Sequence, residues 1–287
     1  MLANAAVVIT GASSGIGEAT ALAMASKGAK LALAGCGEPA LDRVAAECER
    51  RGGKALAIPT DVADEQAVRA LAEQAAERMG AIDVGVNNAG VMLYGKFEDT
   101  PSGAFRQVIE TNFFGQVHGS RAALGQFRRQ GHGVLINMSS VWGRVTSPYV
   151  TPYVVSKYAI RAFSECLRQE LRDADGIDVV TILPQAVETP LWRRAANFSG
   201  RSVRMLPLAL PAEDIAERIV ACAQDPKREV TDRVAGRLFE LVEAIAPPLW
   251  GRVTPFAFER LALSRRRAED TPGNLYEPLH SDDSSSA

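Results

Sequence analysis

Short apolar runs alternate with longer stretches of helical periodicity along most of the chain. Ala5–Thr10 is almost continuously apolar, and Lys30–Ala34, Ala55–Pro59, Ile82–Asn87, Gly133–Met138 and Ile177–Leu183 repeat the pattern. Runs of this length, without polar alternation, suit strands covered on both faces of a parallel sheet. Between them the periodicity predicts helices over Glu18–Lys27, Glu38–Arg51, Asp64–Met79, 102–130 and Tyr153–Arg172. A helix from Pro211 to about Gln224 and a short strand around Arg228–Thr231 follow. Strand and helix in regular alternation imply an α/β fold, a doubly wound parallel sheet flanked by helices. The pattern places one catalytic-size domain over residues 1–235, an apolar helical extension over 236–267, and an acidic, serine-rich tail over 268–287 that is expected to be disordered.

Ligands of such sheets sit beyond the C-terminal ends of the strands. The residues found there are therefore the first place to look for chemistry. After the first strand comes Thr10-Gly11-Ala12-Ser13-Ser14-Gly15-Ile16-Gly17, then a helix. Strand, glycine-rich turn and helix form a dinucleotide site: glycines admit a pyrophosphate and the helix N-terminus offers free N–H groups. Asp61-Val62 follows the third strand, Asn87-Asn88-Ala89-Gly90 the fourth, Ser139-Ser140 the fifth and Pro184 the sixth. Each has a plainer reading. Asp61 could cap a helix, Asn112 could sit at a helix junction, and Ser139 competes with Ser140.

Tyr153 and Lys157 stand four apart on a predicted helix, one turn above each other on one face. A cation beside a phenol favours its ionised form. Bringing a tyrosine toward neutrality takes roughly 3–4 kcal/mol of differential interaction. Tyr153 would then trade a proton with an alcohol oxygen. Neither Tyr149 nor Tyr158 has a lysine four residues on.

Taken together, Thr10-Gly-x-x-x-Gly15-x-Gly17, Asn87-Asn-Ala-Gly90, Asn112, Ser140 and Tyr153-x-x-x-Lys157 resemble the short-chain dehydrogenase/reductase family over about residues 5–235, with Ser140 thirteen residues before Tyr153. The resemblance implies a Rossmann-type sheet and a cytoplasmic NAD(P)-dependent oxidoreductase that interconverts a secondary alcohol and a ketone or aldehyde. It implies Tyr153 as general acid/base, Lys157 as its partner and ribose ligand, Ser140 on the substrate oxygen, and Asn112 holding a water linked to Lys157. Gly11, Ser13, Ser14, Gly15, Ile16, Gly17, Cys36, Asp61, Val62, Asn88, Ala89, Gly90, Pro184, Val187 and Thr189 would join Tyr153 and Lys157 around the coenzyme. Assembly as a homodimer or homotetramer, through helices near 110–130 and 153–172, is implied as well. The alternative is a catalytically idle dinucleotide-binding regulator; an intact Ser140, Tyr153 and Lys157 argue against it.

The sequence departs from the family at the coenzyme-selecting corner. Where an acid at 35 would indicate NAD and an arginine at 36 NADP, the chain has Gly35 and Cys36. No acid stands there to repel a phosphate, which tilts the reading toward NADP over NAD. Glu38 reads as a first-turn acid. Gln185 replaces the usual glycine after Pro184, and Gly85 replaces a large apolar residue.

Trp142, Val145 and Tyr149 lie between Ser140 and Tyr153 and are expected, with those two, to line the substrate pocket. Leu191–Leu210, with Trp192 and Phe198, would cover it. An apolar pocket points to a small hydrophobic carbonyl or alcohol. The extension carries Trp250, Phe256, Phe258, Arg260 and Arg265–Arg267. Such a segment packs on a subunit, caps its own site or makes peripheral membrane contact.

The whole chain of 287 residues has a formal net charge of −2, which gives no general attraction to nucleic acid. Cys36, Cys48, Cys166 and Cys222 are scattered without metal-ligand spacing and read as reduced thiols. No basic stretch and apolar core of a signal peptide opens the sequence.

Overall fold

A computed structural model describes residues 2–207, 209–231 and 242–277. The first part of the expected extension, up to 241, and the tail 278–287 lie outside the described residues.

The chain builds β1 (Ala6–Thr10), α1 (Gly15–Ala25), β2 (Lys30–Gly35), α2 (Glu38–Arg50), β3 (Lys54–Pro59), α3 (Glu65–Met79), β4 (Val84–Asn87), β5 (Leu93–Gly95), α4 (Ser102–Ile109), α5 (Gly115–Gln130), β6 (Gly133–Met138) and α6 (Thr151–Glu170). It continues through β7 (Ile177–Leu183), β8 (Ala196–Phe198), β9 (Arg201–Val203), α7 (Ala212–Gln224), β10 (Glu229–Thr231), α8 (Pro247–Leu261) and β11 (Leu263–Arg267). Seven strands form one sheet in the order β10–β7–β6–β4–β1–β2–β3, and its paired neighbours run parallel. The strand order reverses beside β1, which opens a crevice between the ends of β1 and β4.

Successive side chains of a strand point to opposite faces. Val7 and Ile9 of β1 join Leu31, Leu33, Met24, Leu41 and Ile215 in one core layer. Ala6 belongs to the other layer, with Leu71, Met79, Phe127 and Leu135. Gly85 leaves room on this second face, where a Cβ would already sit 3.3 Å from Ala123 and 3.9 Å from Phe127. The missing side chain at 85 is thus matched to the close approach of α5.

A buried polar seam ties β4 and β6 to the helices. Asn87 Nδ2 donates to Asn137 Oδ1 (2.9 Å) and Ser120 Oγ (3.1 Å), and Asn137 Nδ2 donates to Ser164 Oγ (2.9 Å). Each buried amide is thereby supplied with partners, as burial of polar groups requires.

The helices predicted over 102–130 are α4 and α5. Residues Glu110–Phe114 form a π-helical turn between α4 and α5, and Asn112 sits in it, buried. Insertions of this kind recur at functional sites. The C-terminal extension also differs from expectation. Leu263–Arg267 is a strand antiparallel to β9, so Arg265, Arg266 and Arg267 do not continue the helix. Residues 268–277, expected to be disordered, are packed: Thr271 and Asn197 exchange backbone hydrogen bonds (2.8 and 3.0 Å), and Leu275 is buried against Val91, Leu93 and Val108.

Candidate active site

The glycine turn after β1 is fixed by its own backbone. Gly11 and Gly15 have φ of +64° and +55°, the left-handed region that suits glycine. At Gly17 a Cβ would stand 2.1 Å from the Gly11 carbonyl oxygen and 2.7 Å from Asn88 Nδ2. Asn88 pins this turn to the end of β4, donating to the carbonyls of Thr10 (3.0 Å) and Gly11 (3.2 Å). Ser14, the N-cap of α1, makes no side-chain capping bond. The first-turn N–H groups are thus presented to the cleft that Ser13, Ser14, Gly15 and Ile16 line. A tight glycine cradle at an uncapped helix N-terminus fits the pyrophosphate of a dinucleotide.

The cleft is continuous and has a volume of about 1510 Å³. Its walls include Gly11, Cys36, Asp61, Val62, Asn88, Ala89, Gly90, Ser140, Trp142, Tyr153, Lys157, Pro184, Val187 and Thr189. Sequence positions that suggested one site are therefore brought to one cavity. Asp61 accepts from Ala63 N (2.9 Å) in a turn, whereas the cap of α3 is Asp64, which accepts from Gln66 N and Ala67 N. Gln185 stands on the wall without a positive φ, so glycine is not needed there.

Three side chains converge at the bottom of the cleft. Tyr153 stands beside Ser140, whose hydroxyl favours the ionised phenol. Ser140 Oγ accepts from Trp142 N (3.2 Å). Ser139 stands on the same wall with its hydroxyl donating to the Lys157 carbonyl (2.8 Å), whereas Ser140 Oγ makes a longer contact with the Pro184 carbonyl (3.5 Å). Lys157 Nζ lies 5.2 Å from the centroid of the Tyr153 ring and donates to the Met138 carbonyl (2.9 Å). Asn112 does not reach the cleft wall. Its Oδ1 accepts from Val91 N (2.7 Å), and its Nδ2 donates to Val91 O (3.0 Å) and Ser156 Oγ (3.2 Å). It braces the turn after β4 against α6, the helix that carries Tyr153.

Electrostatics here differ from the simple lysine–phenol pairing. Burial pushes the Tyr153 hydroxyl well above its ordinary pKa, and Ser140 only partly opposes this. Burial also brings Lys157 down to about 7. Desolvation, which disfavours whichever form is charged, outweighs the attraction between the two.

Beyond Ser140 the cavity is walled by apolar and aromatic groups. Trp142 packs edge-on against Tyr153 (5.8 Å) and Trp192 (6.1 Å), and Phe258 lies 6.4 Å from Trp142. Trp250, Val253, Thr254, Ala257, Phe258 and Leu261 of α8 supply one whole wall. Tyr149, expected to line the pocket, does not. With φ at +66° it is turned so that its ring stacks on Phe258 (5.5 Å, 7°) and its hydroxyl donates to Glu259 (2.6 Å). It clamps α8 from behind.

Sequence reasoning missed Arg43, a basic residue on the cavity wall. Arg43 of α2 lines the cavity, bonded to Glu18 (2.6 and 2.9 Å) and to the Ser13 carbonyl (3.5 Å). Arg194 and Asn274 are joined through the backbone, Asn274 N to Arg194 O, 2.9 Å. Asn274 Oδ1 is buried without a hydrogen-bond partner among the described residues. For Arg43, a basic side chain one turn into the helix after β2 was the available signal.

The family profile described as short chain dehydrogenase matches residues 5–199. The chain belongs to the short-chain dehydrogenase/reductase family and is an oxidoreductase. It is 32% identical over 271 residues to the uncharacterized oxidoreductase YxnA of Bacillus subtilis, covering 93% of this chain and 75% of that one. Among solved structures it is similar to a short chain dehydrogenase/reductase from Burkholderia phymatum in complex with NAD (TM-score 0.78, 26% identity, 86% of this chain and 95% of that one). It is also similar to an alcohol dehydrogenase from Thermococcus sibiricus complexed with 5-hydroxy-NADP (TM-score 0.67, 29% identity, 79% and 95%).

Proposed function

We propose that the protein interconverts an apolar ketone or aldehyde and the corresponding alcohol, with a nicotinamide dinucleotide as its redox partner and Tyr153 as general acid/base. The observation that carries this reading is that Tyr153 and Ser140 line the same cleft as the glycine turn, from Gly11 to Ile16. A nicotinamide bound there supplies hydride in one direction and accepts it in the other. The chain's own residues handle the rest. Ser140 and Tyr153 hold the substrate oxygen between their hydroxyls. Tyr153 gives that oxygen a proton as the carbon is reduced, and Lys157 adjoins it as the group that restores the proton. Asn112 positions this assembly through Val91 and Ser156 and does not touch the substrate. Burial keeps Tyr153 protonated through neutral pH. Carbonyl reduction is therefore the direction favoured at neutral pH, and alcohol oxidation gains as pH rises.

For the coenzyme, NADP over NAD is supported by Arg43 on the cleft wall beside Ser13 and by the lack of an acid at 35. The solved relatives hold one coenzyme of each kind. Self-association is part of the same reading: Phe114 and Val155 stand exposed beside α5 and on α6. The substrate class rests on the aromatic wall of Trp142, Trp192 and Phe258. The test is to titrate NADH and NADPH by fluorescence side by side, then supply a panel of hydrophobic ketones. Turnover of a ketone with the tighter-binding coenzyme supports the reading. Coenzyme binding with no turnover of any carbonyl would instead favour the idle regulator.

A further inference from the structure

Helix α8 is apolar on two sides. Its inner side, with Trp250, Ala257 and Phe258, lines the substrate cavity. Its outer side is also apolar. Leu249, Val253 and Phe256 are 54%, 51% and 68% exposed, and Ile245 just before the helix is 74% exposed. Spacings of four and three put Leu249, Val253 and Phe256 on one stripe. Arg260 continues that stripe and Arg252 flanks it. Half of the large apolar side chains that stand exposed among the described residues fall between 245 and 261. Scattered exposed apolar residues need no explanation, whereas a concentration of them marks a contact surface.

The charge on this segment is one-sided. Residues 244–268 hold five arginines, at 252, 260, 265, 266 and 267, and a single acid, Glu259. Glu259 is already engaged by Tyr149 (2.6 Å) and Arg201 (3.9 Å). None of the five arginines makes an ion pair among the described residues. The chain as a whole is slightly acidic, so this basic segment is local. Two copies meeting about a two-fold axis through the stripe would set Arg252 and Arg260 against their own counterparts. An anionic lipid surface has the complementary sign and takes the apolar stripe as well. No helix among the described residues is long and apolar enough to cross a membrane.

We propose that the outer face of α8 rests on an anionic bilayer, and that an apolar substrate dissolved in the bilayer enters the cavity past this helix. Val253 and Leu261 are both exposed and cavity-lining, which places the cavity mouth beside the lipid-facing stripe. The delivery of substrate rests on the proposed apolar carbonyl reaction; the surface contact does not.

The experiment is co-sedimentation of the full chain with vesicles of phosphatidylcholine alone or mixed in equal parts with phosphatidylglycerol, at low and high salt. The wild type is expected to sediment with the mixed vesicles. High salt, or phosphatidylcholine alone, should weaken this at least about tenfold. The pairs Leu249→Ser with Phe256→Ser, and Arg252→Glu with Arg260→Glu, should abolish it while leaving the melting temperature and turnover of a water-soluble ketone unchanged. These four residues lie outside the cavity wall. Light scattering of the same proteins decides against a second copy. Wild type that stays in the supernatant with every vesicle, sedimentation indifferent to both pairs, or a dimer dissociated by the Leu249/Phe256 pair would each overturn the proposal. Tyr153→Phe should still sediment. Intact vesicle binding without turnover of any ketone would sink the reaction and leave the surface contact standing.

Discussion

Burial acts in opposite directions on Tyr153 and Lys157, keeping the phenol protonated and the amine close to losing its proton. The lysine, at about 7 against an ordinary 10.5, penalises the fold where it is charged. That penalty is complete below about pH 7 and fades as pH rises toward 10.5, so stability increases with pH over this window. Chemical denaturation of the wild type should show a gain on the order of 2 kcal/mol between pH 7 and 9, and Lys157→Met should remove the slope. A flat wild-type profile would contradict the burial argument. At the coenzyme corner, Arg43→Ala should weaken NADPH binding about tenfold or more and leave NADH nearly unchanged, as side-by-side titrations would show. The tyrosine–lysine spacing was legible because four residues make one helical turn. The dominance of desolvation was not, because it depends on how deeply packing buries the pair. The basic character of Arg43 was legible but its aim was not, because only the docking of α2 against Ser13 and Glu18 holds its side chain at the cleft.

Among the elements, the turn after β1 and the π-helical segment at Glu110–Phe114 constrain the site most. Gly17→Ala forces a Cβ into the Gly11 carbonyl, a backbone contact that cannot yield. Isothermal titration should find coenzyme binding lost or reduced by more than about a hundredfold, while the sheet still folds; unimpaired binding would show that this turn is not the cradle. Asn112→Ala leaves the Val91 backbone groups and the Ser156 hydroxyl short of their buried partners. Thermal denaturation should reveal a loss of about 2–4 kcal/mol, with turnover falling alongside because α6 is no longer braced. Six of the seven sheet strands could be located from sequence because each is an apolar run closed by a turn; β10, Glu229–Thr231, holds a single apolar residue and was placed only as a short strand after α7. The π-turn could not, since its residues continue a helical pattern. Nor could β5, β8, β9 and β11, which are three to five residues long and pair only through contacts made late in the fold.

The cavity is a joint product of the sheet's C-terminal edge and the segment 242–277. Phe258 is the hinge of this union, buried between Tyr149, Tyr94 and Trp142. Phe258→Ala should cost about 3–5 kcal/mol and raise KM for bulky ketones more than it lowers kcat. Steady-state kinetics and denaturation check the two halves separately. The extension's apolar and basic character was evident in the chain, but its place was not: nothing local to 263–277 says that it pairs with β9 and returns along Arg194–Asn197. The proposed reaction turns on proton transfer by a single buried phenol, Tyr153. Single-turnover oxidation of bound NADPH by a hydrophobic ketone, compared in wild type and Tyr153→Phe, tests it most directly. Unchanged coenzyme affinity with a rate lowered by about 10²–10⁴ is the predicted result; a Tyr153→Phe enzyme that turns over within a few-fold of wild type would contradict it.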